Sequence, residues 1–109
     1  MIDIEAVLDE NGLLRSCKAS GHAGAGKTGS DIVCAAVSVL MRTAACSLSD
    51  REGITIRYEA PEPGLFFLEA DYTAEGKDFL FAAGAFLIEG IALVAEEYPD
   101  NCRLTIRRT

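Results

Sequence analysis

The chain has 109 residues, half of them apolar and a quarter charged, which excludes a disordered polypeptide and leaves room for one hydrophobic core in a single domain over 1–109. With 17 acidic against 10 basic residues the formal net charge is −7, and the longest basic run is Arg107-Arg108. That balance argues against direct nucleic-acid binding, which needs a cationic surface to displace counterions from phosphates.

The N-terminal stretch MIDIEAVLDENG has neither a basic start nor an apolar export segment, so a cytoplasmic location is expected. Four cysteines (17, 34, 46 and 102) have no C-x-x-C spacing, and there is one histidine. Reduced thiols and no metal or cofactor are therefore expected. IDIEAVLD alternates apolar and polar residues, Glu10-Asn11-Gly12 supplies a turn, and LLRSCKAS resumes the extended pattern. Together they predict a β-hairpin.

A glycine-rich loop over 21–29 follows, and Ser30 is a good N-cap for a helix running from Asp31 to about Leu48. Asp31, Ser38, Arg42 and Ser49 recur at steps of seven, four and seven, one polar stripe on an otherwise apolar and mostly buried helix. ITIRYEA and LFFLEADY read as strands joined by the turn Pro61-Glu62-Pro63-Gly64. A second helix is expected from about Glu75 to Tyr98, apolar around nearly its whole circumference. Glu89 interrupts its apolar run, so packing on the sheet and on a partner subunit is preferred to spanning a membrane. Pro99 stops it, and CRLTIRR makes a last strand. The order ββαββαβ predicts an α+β domain, with two helices on a mixed, mainly antiparallel sheet.

Residues 21–28 satisfy the phosphate-loop pattern through Gly21, Gly26, Lys27 and Thr28. The context is poor: a genuine phosphate loop joins a buried parallel strand directly to a helix. Here the preceding segment carries Arg15 and Lys18 and pairs in a hairpin. The same stretch also supports a thiol reading. With Ser30 as cap, Cys34 falls in the first helical turn, where free N–H groups and the positive dipole end stabilise a thiolate. Asp31 and Ser38 share its face, and His22 lies on a loop able to fold back onto the sulfur, where it would hold the thiolate as an ion pair and later donate a proton to a leaving group. From spacing alone a lone cysteine in an apolar helix also reads as a small core residue, as do Cys17, Cys46 and Cys102.

The segment GHAGAGKTGSDIVCAAVS resembles the signature of the ribosomal-processing cysteine proteases, G-H-A followed by G-x-D-I-V-C-A-x-x-S. Gly21, His22, Ala23, Gly29, Asp31, Ile32, Val33, Cys34, Ala35 and Ser38 all fall on it. Glu96-Glu97-Tyr98 before the last strand extends the likeness. The resemblance implies a homodimeric cysteine endopeptidase that removes an N-terminal extension from a large-subunit ribosomal protein, cutting after an aromatic residue. It implies Cys34 as nucleophile, His22 as base and acid, and Gly21, Asp31 and Ser38 in supporting or substrate-positioning roles. Phe66-Phe67 and the second helix are candidates to line an apolar substrate groove, and the acidic surface suits a basic ribosomal protein. The alternatives are a non-catalytic module that binds a ribosomal protein or assembly partner and, third, a nucleotide-binding protein.

Overall fold

Strand β1, Ile2–Leu8, is an inner strand of the five-stranded sheet, one place in from its edge. Its alternation is the cause: Ile2, Ile4 and Ala6 are buried, while Asp3 and Glu5 point to the opposite face. The computed structural model describes residues 1–21, 28–62 and 64–109, with the side chains of 28–31 excepted. Strand β2, Leu14–Ser20, pairs antiparallel with β1. Helix α1 covers Thr28–Leu48, followed by β3, Ile54–Glu62, and β4, Leu65–Tyr72. A short 3-10 turn, Ala74–Gly76, leads into α2, Lys77–Glu97, and β5, Cys102–Arg108, ends the fold. The sheet order is β3-β4-β2-β1-β5, with β5 parallel to β1 and the other three pairings antiparallel. The α+β expectation, in its element order and its mixed, mainly antiparallel sheet, is borne out.

Both helices cover one face of the sheet, α1 over β3 and β4 and α2 over β2 and β5. The core between the layers is Ile4, Leu14, Val37, Met41, Leu68, Leu87, Ile91 and their neighbours. The opposite face carries charge pairs between neighbouring strands. Arg103 meets Asp3 at 2.6 Å, Arg107 meets Glu5 at 3.3 Å and Arg15 meets Asp71 at 3.0 Å. All are well exposed, so each contributes about 0–1 kcal/mol.

Three expectations need correction. Helix α1 starts at Thr28, not after Ser30, because a helical glycine at position 29 costs only about 1 kcal/mol, which tertiary packing overrides. The helix is not mostly buried: Val33, Val37, Met41, Ala44, Ala45 and Leu48 face the core, while Ile32 and Val39 are 46% and 59% exposed. Its apolar stripe is wide enough to pack on one layer, and among the described residues no second layer covers the outer side. Strand β3 continues through Pro61 to Glu62, with a register shift against β4 between Glu59 and Glu62. As the sheet's edge strand it tolerates a residue without an N–H. Pro63 of the expected turn lies outside the described residues.

Helix α2, with the preceding 3-10 turn, is long and apolar enough by composition to cross a membrane. Leu80, Gly84, Leu87 and Ile91 nonetheless form a buried stripe at helical spacing against the sheet. Phe81, Phe86 and Leu93 stand outward, 53%, 74% and 57% exposed.

Candidate active site

One end of the sheet gathers the start of β1, the end of β2 and the turn from β3 to β4. The N-terminal half of α1 passes over that end and leaves a cleft of about 370 Å³, lined by Ala19, Gly21, Cys34, Ser38, Gly64 and Phe66 among others. Cys34 is half-buried and packs against the main core. Ser38, one helical turn further on, borders the same space. The Cys34 thiol is the one ionisable side chain among the described lining residues, so the wall around it is otherwise uncharged and largely apolar.

Gly21 is where β2 gives way to the histidine-bearing segment. Its φ is 133°, a backbone conformation open to glycine. A Cβ at this position would lie 2.2 Å from the Met1 carbonyl oxygen. The Gly21 N–H donates to the Gly64 carbonyl at 3.0 Å, one rung beyond the last β2–β4 pair, Ser20 with Leu65.

Of the five site residues expected from sequence, the structure brings Gly21, Cys34 and Ser38 to one cleft. His22 and the Asp31 side chain lie outside the described residues. Because α1 begins at Thr28, Cys34 is its seventh residue and not in its first turn. The dipole argument for thiol activation weakens accordingly, since that effect is concentrated in the terminal turn.

Phe66 and Phe67 do not act together. Phe66 lines the cleft, while Phe67, the next residue, projects to the opposite face, where the Arg57 guanidinium sits 5.2 Å from its ring centre. Strict alternation along LFFLEADY separates them in principle. Ala19 and Gly64 are cleft residues that sequence reasoning missed; Gly64 was legible as a turn residue but not as a neighbour of Cys34.

The remaining thiols are differently placed. Burial pushes the Cys17 thiol up to about 12, so it is not a nucleophile near neutral pH. Cys102 is raised by burial and, secondarily, by the Asp3 carboxylate. Cys46 is exposed on α1, against the expectation of a core residue. The phosphate-loop reading fails on topology. Strand β2, which precedes the glycine-rich stretch, is antiparallel to both of its neighbours, whereas that motif follows a parallel strand. Among the described residues no group of three or more His, Cys, Asp or Glu side chains converges.

The sequence model of the family described as cysteine protease Prp matches residues 1–103. Among curated proteins none matches this chain. The crystal structure of SMU.848 from Streptococcus mutans is 27% identical, with a TM-score of 0.81 over 100% of this chain and 96% of that one. The S. aureus ribosomal processing protease Prp in complex with a substrate peptide is 20% identical and has a TM-score of 0.82, over 98% of this chain and 100% of that one. The same S. aureus protease with a covalently linked product peptide is 23% identical, with a TM-score of 0.78 over the same shares of each chain.

Proposed function

We propose that this chain, which belongs to the cysteine protease Prp family, removes an N-terminal extension from a large-subunit ribosomal protein in the cytoplasm, cutting after an aromatic residue. The observation that carries the reading is the meeting of Cys34, Ser38 and Gly21 around one apolar cleft, with His22 next in the chain to Gly21. The S. aureus protease to which the chain is similar is a ribosomal processing enzyme with a peptide substrate.

In this reading His22 takes the Cys34 proton and Sγ attacks the carbonyl carbon of the scissile bond. The imidazolium then protonates the departing amine, leaving a thioester on Cys34. Water, deprotonated by the same imidazole, hydrolyses the thioester and frees the thiol. Asp31 and Ser38 position the histidine or the substrate backbone. The aromatic side chain before the cut sits in the cleft beside Phe66, where burying an aromatic ring stabilises binding by about 1.5–3 kcal/mol. No metal or cofactor enters these steps. The enzyme works as a homodimer, and its net charge of −7 attracts a basic ribosomal protein.

Mass spectrometry of the extended ribosomal protein mixed with this enzyme is expected to show a single cut after an aromatic residue. Cys34→Ala abolishes that cut while the protein still folds. Cleavage at an undiminished rate by Cys34→Ala removes Cys34 from the reaction.

A further inference from the structure

Two backbone constraints meet at Gly21. On one side the start of β1 is in close approach: a Cβ on Gly21 would lie 2.2 Å from the Met1 carbonyl oxygen and 3.1 Å from the Ile2 Cα. On the other, the Gly21 N–H is held at 3.0 Å by the Gly64 carbonyl. Gly64 has a φ of 83°, and both glycines border the cleft that contains Cys34. The bond therefore lies past the regular sheet, at the residue that follows the end of β2. We infer that Gly64 is a positioning residue for the cysteine's reaction: from a backbone at positive φ, its carbonyl anchors Gly21, the residue that precedes His22 in the chain. A residue with a Cβ is strained at this φ, and relief of that strain rotates the peptide that bears the acceptor.

The inference rests on the His22–Cys34 reading above, and a matched glycine tests it separately. Gly12, in the β1–β2 turn at the other end of the sheet, has the same φ of 83° and meets only the side-chain ends of Phe81 and Arg108, at 3.8 and 4.0 Å. Replacing either glycine by alanine imposes a similar backbone strain, but only position 64 touches the cleft.

The experiment measures two quantities in the full chain. One is the rate of iodoacetamide alkylation of Cys34 at pH 6 relative to the exposed Cys46 of the same molecule, read by peptide mass mapping. The other is kcat/KM on the extended ribosomal protein. A wild-type alkylation ratio near one sinks the proposed catalytic pair itself, and the Gly64 inference falls with it. With a wild-type ratio well above one, Gly64→Ala lowers both quantities on the order of tenfold or more, the scale of a displaced catalytic group. Gly12→Ala leaves both within about twofold, since its strain is local to a distant turn. Gly64→Asn recovers most of the loss, because asparagine tolerates positive φ. Wild-type values in Gly64→Ala, or an equal loss in Gly12→Ala, overturn the inference. Should Gly64→Ala fail to fold, a semisynthetic chain joined at Cys34 with an ester in place of the Gly21 amide removes the donor alone. The same two losses are expected there, and wild-type values overturn the inference.

Discussion

At Asp9 a single carboxylate ties the first hairpin's turn to the end of β4. One oxygen accepts the N–H groups of Asn11 and Leu13 at 2.8 and 2.9 Å, and the other accepts the Tyr72 hydroxyl at 2.5 Å. Burial alone would raise this carboxyl. The Tyr72 hydroxyl, the two N–H groups and Arg15 outweigh it and hold the group below the ordinary carboxylate range. The same bond to Asp9 is the main cause that pushes the Tyr72 phenol up. A carboxylate depressed in the folded state contributes stability that is fully present above its unfolded value of about 3.9, and that is lost as pH falls through the lower folded value. Asp9→Asn is expected to lower Tm by about 4 °C at pH 7, the shift that goes with one weakened hydrogen bond. The difference shrinks toward pH 2, where the wild-type group is protonated as well. Melting curves from pH 7 to 2 that stay parallel contradict this account.

Among the elements, much was legible because hydrophobic period and turn chemistry agree. Alternation in IDIEAVLD and CRLTIRR, the turn at Asn11-Gly12 and the stop at Pro99 fix five strands and two helices to within a few residues. What was not legible depends on three-dimensional neighbours. The early start of α1 needs packing to override Gly29. Among the described residues the outer side of that helix has no second layer over it, and Phe66 is separated from Phe67 by its side of the sheet. For the candidate site, Gly21, Cys34 and Ser38 were readable from a motif, whereas Ala19 and Gly64 join the cleft through chain pairing that one sequence does not display. The two glycines of α2 separate these kinds of information. At Gly84 an added Cβ meets the Leu14 Cβ at 3.0 Å, close to the β2 backbone, whereas at Gly90 it meets the flexible end of Leu40 at 2.8 Å. Gly84→Val is expected to destabilise the fold by about 1–3 kcal/mol through overpacking. Gly90→Ala is neutral or slightly stabilising, because Leu40 can turn aside and alanine gains up to about 1 kcal/mol in helix propensity. Urea unfolding of the two variants checks the ordering, and an equal loss in both contradicts it.

At the scale of the whole molecule, the outward side of α2 is the feature that the isolated fold leaves unsatisfied. Phe86 is 74% exposed beside an apolar groove of about 460 Å³ between the helices, lined by Leu40, Ala44, Phe79 and Ala83 among others. In the proposed homodimer a second copy covers this face. Phe86→Asp is therefore expected to shift the protein to a monomer in sedimentation analysis while leaving its circular dichroism spectrum intact. A dimer that persists in Phe86→Asp places the contact elsewhere. The pairing of β5 with β1 has a consequence for how the enzyme comes into being. Cys102 lies beside Ile2 and Arg108 beside Leu8, so β1 waits for a strand that lies far along the chain. Closing so long a loop is slow and entropically costly. A nascent chain still missing Cys102–Arg108 cannot complete its sheet, which delays the folded protease until that strand has been made.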